Sequence, residues 1–353
     1  MIEVLGPPDR PRRAHGPRLP PVSLAARRVA LAAATVLGVG MLAATHDQVP
    51  HPSLLVASTA LARVDATGHV EPLALPGTGD PARLLRLSHA TVLLTRPAGR
   101  IEGGQALLLP DGGDALRVLG PADSLVPDSR EDRVWLVQRI GDQQALTSYD
   151  GSGRAGERRT AATGNDLFLV TPEGVLDDEM ELPGGSTPTL RDDAGLVLRR
   201  FPGPVTVLAV TGSRVLATQG NCLDGCSVLA WDVRDGGSRS APLDAGLVVL
   251  EGALSADGRS VALAARSASA GQDPVGTTGQ AVLLRGRLDG GEPVARTVRG
   301  GCTLLACHVT FSGSTVWASV DRSPGRLVRW RDGEEPLPIA LQVPDVQALS
   351  GLS

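Results

Sequence analysis

The chain contains no lysine: all 34 of its basic residues are arginine. That absence removes Schiff-base chemistry and the lysine of a phosphate-binding loop. Aromatic residues are almost as scarce, with four Trp, three Phe and one Tyr among 353 residues, so a core must be built from Val, Leu and Ala. Motifs of chemistry are missing too, since no Gly-x-Ser-x-Gly, His-Glu-x-x-His or phosphate loop occurs. Gly151, Gly153 and Gly156 match a dinucleotide spacing literally, but Glu157-Arg158-Arg159 follows where an apolar helix face is required, and the stretch reads as a hairpin turn. The acidic run Asp177-Asp178-Glu179 lacks the alternating oxygen ligands and the glycine of a calcium loop and reads as a solvated turn. The six histidines read as surface or core residues, His69 in a turn and His89 on a strand. No catalytic, metal-binding or cofactor-binding residue is assigned, and the chain is not expected to be an enzyme.

Long apolar runs are absent with one exception, Val29 to Thr45 (VALAAATVLGVGMLAAT), seventeen residues without a charge. At about 1.5 Å per residue they form a helix of roughly 25 Å, enough to cross a hydrocarbon core with little tilt. Residues 1–28 carry six arginines against Glu3 and Asp9, a charge of +4, and are rich in proline. They are expected to form a disordered cytoplasmic tail, with the C-terminal side sent across the membrane. Residues 29–45 are thus predicted to lie in the lipid bilayer as an uncleaved single-pass anchor, followed by a linker over 46–52 and an extracytoplasmic domain over 53–353. A cleaved export signal is the alternative, although Leu42 stands where cleavage after Ala44 wants a small residue. The tail's +4 against −4 for the whole chain leaves −8 beyond Arg28, which argues against a nucleic-acid partner.

Forty-three scattered glycines and 27 prolines suit short strands and tight turns. Seven turn markers of the Asp-Gly type fall between apolar runs, at Asp65, Asp111, Asp150, Asp193, Asp235, Asp289 and Asp332. Their spacing, close to 43 residues with one longer interval that contains the polar insertion 266–280, is the size of one four-stranded propeller blade. The expected fold is all-β, a β-propeller of about seven blades, with six or eight as alternatives. Leu54 to Ser58 is expected to close the ring by pairing with Ile339 to Val343 and with Val346 to Leu349.

One copy of the repeat, Leu254-Ser255-Ala256-Asp257-Gly258-Arg259-Ser260-Val261-Ala262-Leu263, resembles the Phe-Ser-Pro-Asp-Gly signature of TolB-like and WD-repeat propellers, with Leu and Ala in place of Phe and Pro. Leu229-Ala230-Trp231-Asp232 resembles the third strand of such a blade. The resemblance implies that Asp257-Gly258 joins strands one and two. The arrangement of tail, anchor and propeller also resembles membrane-anchored propellers of high-GC Gram-positive bacteria.

The four cysteines stand in two close pairs, and an exported chain with such pairs is expected to form the disulfides Cys222 with Cys226 and Cys302 with Cys307. A zinc site formed by these cysteines and His308 is the weaker reading, because the spacings fit structural zinc motifs loosely. By strand order, residues 220–226, 266–280 and 299–307 share one face of the disc. Asn221, Asp224, Gln272, Asp273 and His308 are therefore the candidate binding face. The expected function is a binding or scaffolding module for an envelope protein, peptide or cell-wall component. The alternative is a propeller enzyme of the lactonase or quinoprotein kind, for which no converging set of carboxylates and histidines is visible in the sequence.

Overall fold

The computed structural model describes residues 52–351 except 59, 66, 78, 101–102, 114, 131, 182–184, 268–278, 289–292, 303–306, 322–324 and 344–345. The predicted tail and membrane anchor lie outside the described residues, and no helix among the described residues is long and apolar enough to cross a membrane.

The described chain is all strand and turn, and it forms seven antiparallel four-stranded blades. Blade 2 comprises Asp80–Arg86, Ala90–Arg96, Gly104–Pro110 and Arg117–Ala122, counted from the inner strand outwards, and blade 3 comprises Ser124–Pro127, Arg133–Ile140, Gln143–Asp150 and Ala155–Ala161. Blade 4 runs Leu167–Val170, Val175–Glu181, Gly185–Arg191 and Val197–Arg200, and blade 5 runs Val205–Thr211, Arg214–Gln219, Cys226–Asp232 and Ser238–Leu243. A single bridge between Ser186 and Val205 connects these two sheets. Blade 6 is Leu247–Leu254, Ser260–Ser267, Gly279–Arg287 and Val294–Cys302, and blade 7 is His308–Ser312, Thr315–Val320, Gly325–Trp330 and Leu337–Val343.

Blade 1 closes the ring. Its inner strand, Ala348–Gly351, comes from the C-terminal end and pairs with Pro52–Ala57, Leu54 opposite Gly351 and Ala57 opposite Ala348, while Leu61–Asp65 and Val70–Leu73 complete the sheet. The expected partner Val346 to Leu349 coincides with this strand at Ala348 and Leu349, the strand running two residues further on. Ile339 to Val343 is not a closing strand, because it is already hydrogen-bonded as the outer strand of blade 7.

Six of the seven Asp-Gly markers fall at one place, the turn between strands three and four of their blades, and Asp289 lies outside the described residues. The reason is local chemistry. In blades 1 and 3 the last residue of strand three, Asp65 or Asp150, accepts through Oδ1 from the backbone N–H of Thr67 and His69, or of Ser152 and Arg154. The same turns need a backbone with φ of +90° at Gly68 and +77° at Gly153, which a residue with a Cβ rarely adopts. Asp257-Gly258 joins strands one and two of blade 6, as the resemblance implied, and Ser255 Oγ, Asp257 and Ser260 N bond within it.

The core is divided among the seams. Seven buried apolar clusters occur among the described residues, each built from the facing sheets of two neighbouring blades. Strand two of each blade lies between two seams, so successive residues point to different clusters: Val261, Leu263 and Ala265 pack towards blade 5, Ala262 and Ala264 towards blade 7. That geometry explains why these strands read as unbroken apolar runs instead of alternating ones.

Arginine ties the seams together at the face carrying the strand one–two and three–four turns. Arg63 donates to the Gly113 carbonyl, Arg117 Nη1 to Ser152 O at 2.6 Å, and Arg159 Nη1 to Thr171 O at 2.6 Å. Arg199 Nη1 reaches Val233 O at 3.1 Å, Arg214 reaches the Asp257 carbonyl, and Arg285 Nη2 reaches Ser314 O at 2.9 Å. In each case the acceptor belongs to a turn of the next blade, which uses the guanidinium's several fixed donors to bridge carbonyls that a compact ammonium cannot span together.

Two readings are corrected here. Asp177 is not in a solvated turn: it is fully buried on strand two of blade 4, where Arg191 Nε, Thr163 Oγ1 and Asn165 Nδ2 all donate to its carboxylate. His89 lies in the exposed turn between the first two strands of blade 2 and not on a strand.

Candidate functional site

Strand order sorts the connections onto two faces. The turns between strands one and two and between three and four form a turn face; the loops between strands two and three, and the links from strand four to the next blade, form the opposite, loop face. Both disulfides are formed as expected, Cys222 with Cys226 at a Cα separation of 4.4 Å and Cys302 with Cys307 at 5.5 Å. Both belong to the loop face; residues 268–278 of the expected insertion lie outside the described residues.

The first disulfide loop is organised by its own polar groups. Asn221 Oδ1 accepts from Leu223 N at 3.1 Å and its Nδ2 donates to Asp224 Oδ2 at 2.8 Å, while both side chains stay exposed. Gly246 N donates to the Cys222 carbonyl at 3.1 Å, which seats the loop on the link into blade 6. Cys302 and Cys307 are wholly buried at the seam of blades 6 and 7. Beside them Asp321, at φ +66°, accepts from Gly301 N at 2.5 Å through Oδ1 and returns a backbone N–H to Gly301 O at 2.9 Å. Gln272 and Asp273 lie outside the described residues. Among the described residues no group of three or more His, Cys, Asp or Glu could hold a metal ion.

His308 does not join Asn221 and Asp224 on the surface. As the first residue of the inner strand of blade 7 it turns into the ring, with its side chain 14% exposed. Nδ1 lies 2.7 Å from Glu251 Oε2 on the inner strand of blade 6, and Nε2 lies 3.1 Å from the Val346 carbonyl just before the inner strand of blade 1. Glu251 Oε1 also accepts from Val309 N at 3.3 Å. A carboxylate and a carbonyl both accept, so the ring donates from both nitrogens and carries a positive charge. Burial opposes that charge, but the hydrogen bond and charge of Glu251, with the Val346 carbonyl, outweigh it and raise the histidine above its ordinary value. The arrangement clasps three consecutive blades at the point of closure, and it leaves the ring no free nitrogen to act as a base.

Sequence reasoning missed the pair because Glu251 and His308 share no motif and lie 57 residues apart in the chain. A signal was present for Glu251 alone, where one charge interrupts an otherwise apolar inner strand (LVVLEGAL).

On the turn face a cleft of about 320 Å³ opens between blades 5 and 6, lined by Arg214, Asp232, Asp235, Arg239, Arg259 and Leu288. Its acids are already engaged: Asp232 accepts from Arg234 and Asp235 from Gly237 N at 2.7 Å.

No protein-family model matches the chain, and no curated protein matches it in sequence. Solved structures do match in fold. A proposed 6-phosphogluconolactonase from Bacteroides fragilis is 10% identical over 88% of this chain and 100% of its own length, with a TM-score of 0.55. A second proposed 6-phosphogluconolactonase, from Bacteroides uniformis, is 12% identical over 86% and 100%, with a TM-score of 0.52. TolB from Acinetobacter baumannii is 15% identical over 83% and 78%, with a TM-score of 0.44. The likeness is one of fold alone: the chain is a β-propeller.

Proposed function

We propose that this propeller is a binding or scaffolding module, held outside the cytoplasm by residues 29–45 in the bilayer, whose loop face recognises an envelope protein, peptide or cell-wall component. The observation that carries the reading is the shared position of both disulfide-closed connections on one face. Connections that are already ordered lose less conformational freedom on binding, and a scaffold of rigid strands holds them in place. The enzyme reading has one observation in its favour, the Glu251–His308 pair facing the channel. Both ring nitrogens of His308 are committed to acceptors, which supports binding over catalysis.

The test compares partner recovery from the native envelope by the wild-type chain, by Asp224→Arg, and by a variant with residues 272–276 replaced by a Gly-Ser link. Loss of recovery in either variant at unchanged melting temperature supports the loop face; full recovery in both moves the functional surface elsewhere. Topology is tested separately with terminal tags in intact cells. External protease is expected to remove a C-terminal tag and spare an N-terminal one.

A further inference from the structure

The outer edges of the blades are not alike. Four outer strands carry a proline, Pro72, Pro121, Pro242 and Pro338 in blades 1, 2, 5 and 7, and those of blades 3 and 6 carry charge along their length, Glu157-Arg158-Arg159 and Arg296 with Arg299. Proline and charge keep an edge strand from pairing with another chain. The outer strand of blade 4, Val197–Arg200, has no proline and confines its charge to Arg199 and Arg200 at the far end. Its near end presents Leu196, Val197 and Leu198, exposed at 67, 43 and 50%. Among the described residues the other exposed large apolar side chains stand singly.

Among the described residues the only strand paired with this edge is strand three of its own blade, Gly185–Arg191. Phe201 N donates to Pro188 O and Asp192 N to Leu196 O, each at 2.9 Å, so the strand is fixed at both ends and its alternation turns the N–H and C=O of Arg200 outwards. Leu198 is the extra residue of a bulge, so the free ladder is short and the apolar side chains must carry most of a contact. The flanking charges identify the occupant. From Asp192 to Arg200 the sequence DDAGLVLRR is acidic at one end, apolar in the middle and basic at the other. Run antiparallel to a second copy of itself, it sets apolar against apolar and brings the acidic turn of each copy to the basic end of the other. Asp192 already accepts from Leu196 N and Asp193 from Arg159, while Arg199 donates to Val233 O. A carboxylate accepts several hydrogen bonds and a guanidinium donates several, so these groups keep capacity for a partner.

We infer that the outer edge of blade 4 is a self-association site, at which two copies of this chain meet about a two-fold axis with Leu196, Val197 and Leu198 of one against the same residues of the other. An acidic or a basic peptide would match one end of the stretch, whereas a second copy matches both. Three apolar side chains fall short of the about 800 Å² per partner of a stable complex, so the association is weak and reversible. The site lies on the rim of the disc and stands whether or not the loop face binds a partner.

The experiment is sedimentation velocity of the full chain in detergent, from about 1 μM to 0.1 mM, beside Leu198→Arg and Val118→Arg. Val118 is as exposed as Leu198, on the outer strand of blade 2, but stands alone. The wild type and Val118→Arg are expected to pass from monomer towards dimer over that range. Leu198→Arg should weaken the association about tenfold or more, because it brings arginines face to face across the axis. Both replaced side chains are half exposed, so all three proteins should melt alike and a lost dimer cannot be ascribed to unfolding. Cysteine variants locate the contact: the four native cysteines are paired, so a short bismaleimide should join Val197→Cys or Leu198→Cys into a dimer and leave Val118→Cys monomeric. A wild type that stays monomeric at every concentration, a dimer that survives Leu198→Arg, or cross-linking at the edge no greater than that of Val118→Cys overturns the site.

Discussion

Arg159, on the outer strand of blade 3, holds the carboxylate of Asp193 in the turn of blade 4, with Nη2 at 2.6 Å and Nε at 3.0 Å from Oδ1. The same guanidinium donates Nη1 to Thr171 O at 2.6 Å and lies 6.0 Å from the ring centroid of the buried Trp135. One side chain thus satisfies three demands at a seam. Lysine keeps the charge but cannot meet the carbonyl and the carboxylate together, so Arg159→Lys should lower stability by about 1–2 kcal/mol. Denaturant titration checks it, and an unchanged midpoint would show that the guanidinium geometry is irrelevant to the seam.

The closing blade makes the ring depend on its last strand. Removing residues 346–353 exposes the paired edge of Pro52–Ala57 and takes Val346 and Leu349 out of the cluster shared with Trp317 and Leu327. One cooperative unfolding transition at a lower temperature is the expected result. A truncated chain that melts like the intact one would mean that the ring does not rely on this closure.

Much of this fold was legible because its turns are chemically repetitive. An aspartate at the end of strand three and a glycine with positive φ close behind it recur at the blade period among the described turns, and in blades 1 and 3 the carboxylate collects two backbone N–H groups. Cysteines four and five residues apart likewise announced local disulfides. Closure was only partly legible, since Ile339 to Val343 and Val346 to Leu349 have similar apolar texture and only hydrogen-bond register separates an outer strand from an inner one. Asp177 was misread because burial of a carboxylate depends on Arg191, fourteen residues away, and a run of acids looks solvated until its partner is known. The Glu251–His308 pair was illegible for the same reason: the two residues, 57 apart in the chain, meet only when the inner strands of blades 6 and 7 are placed side by side.

The two disulfides close loops of similar length but sit in different surroundings. By the chain-entropy estimate each contributes roughly 2 kcal/mol. Cys302 and Cys307 are also buried within the cluster of blades 6 and 7, whereas Cys222 is only partly buried. Replacing Cys302 and Cys307 by serine should therefore lower the melting temperature more than replacing Cys222 and Cys226, because two hydroxyls enter an apolar seam. Equal shifts would show that loop closure alone sets the effect.

The clasp at the point of closure predicts a dependence on pH. His308 is raised above its ordinary value near 6.5 by Glu251 and the Val346 carbonyl, which outweigh the opposing burial. A group whose folded value is raised adds stability that is fully present below the unfolded value and is lost as pH rises through the folded one. Above that range a neutral ring can donate to only one of its two acceptors. The stability difference between the wild type and His308→Gln should therefore be largest below about pH 6.5, on the order of 1–3 kcal/mol, and should shrink as the medium becomes alkaline. Glu251→Gln should flatten the same profile, since the partner that raises His308 is gone. Denaturant midpoints measured from pH 5 to 9 decide the matter: a difference that stays constant with pH, or grows towards alkaline pH, contradicts a charged clasp between blades 6, 7 and 1.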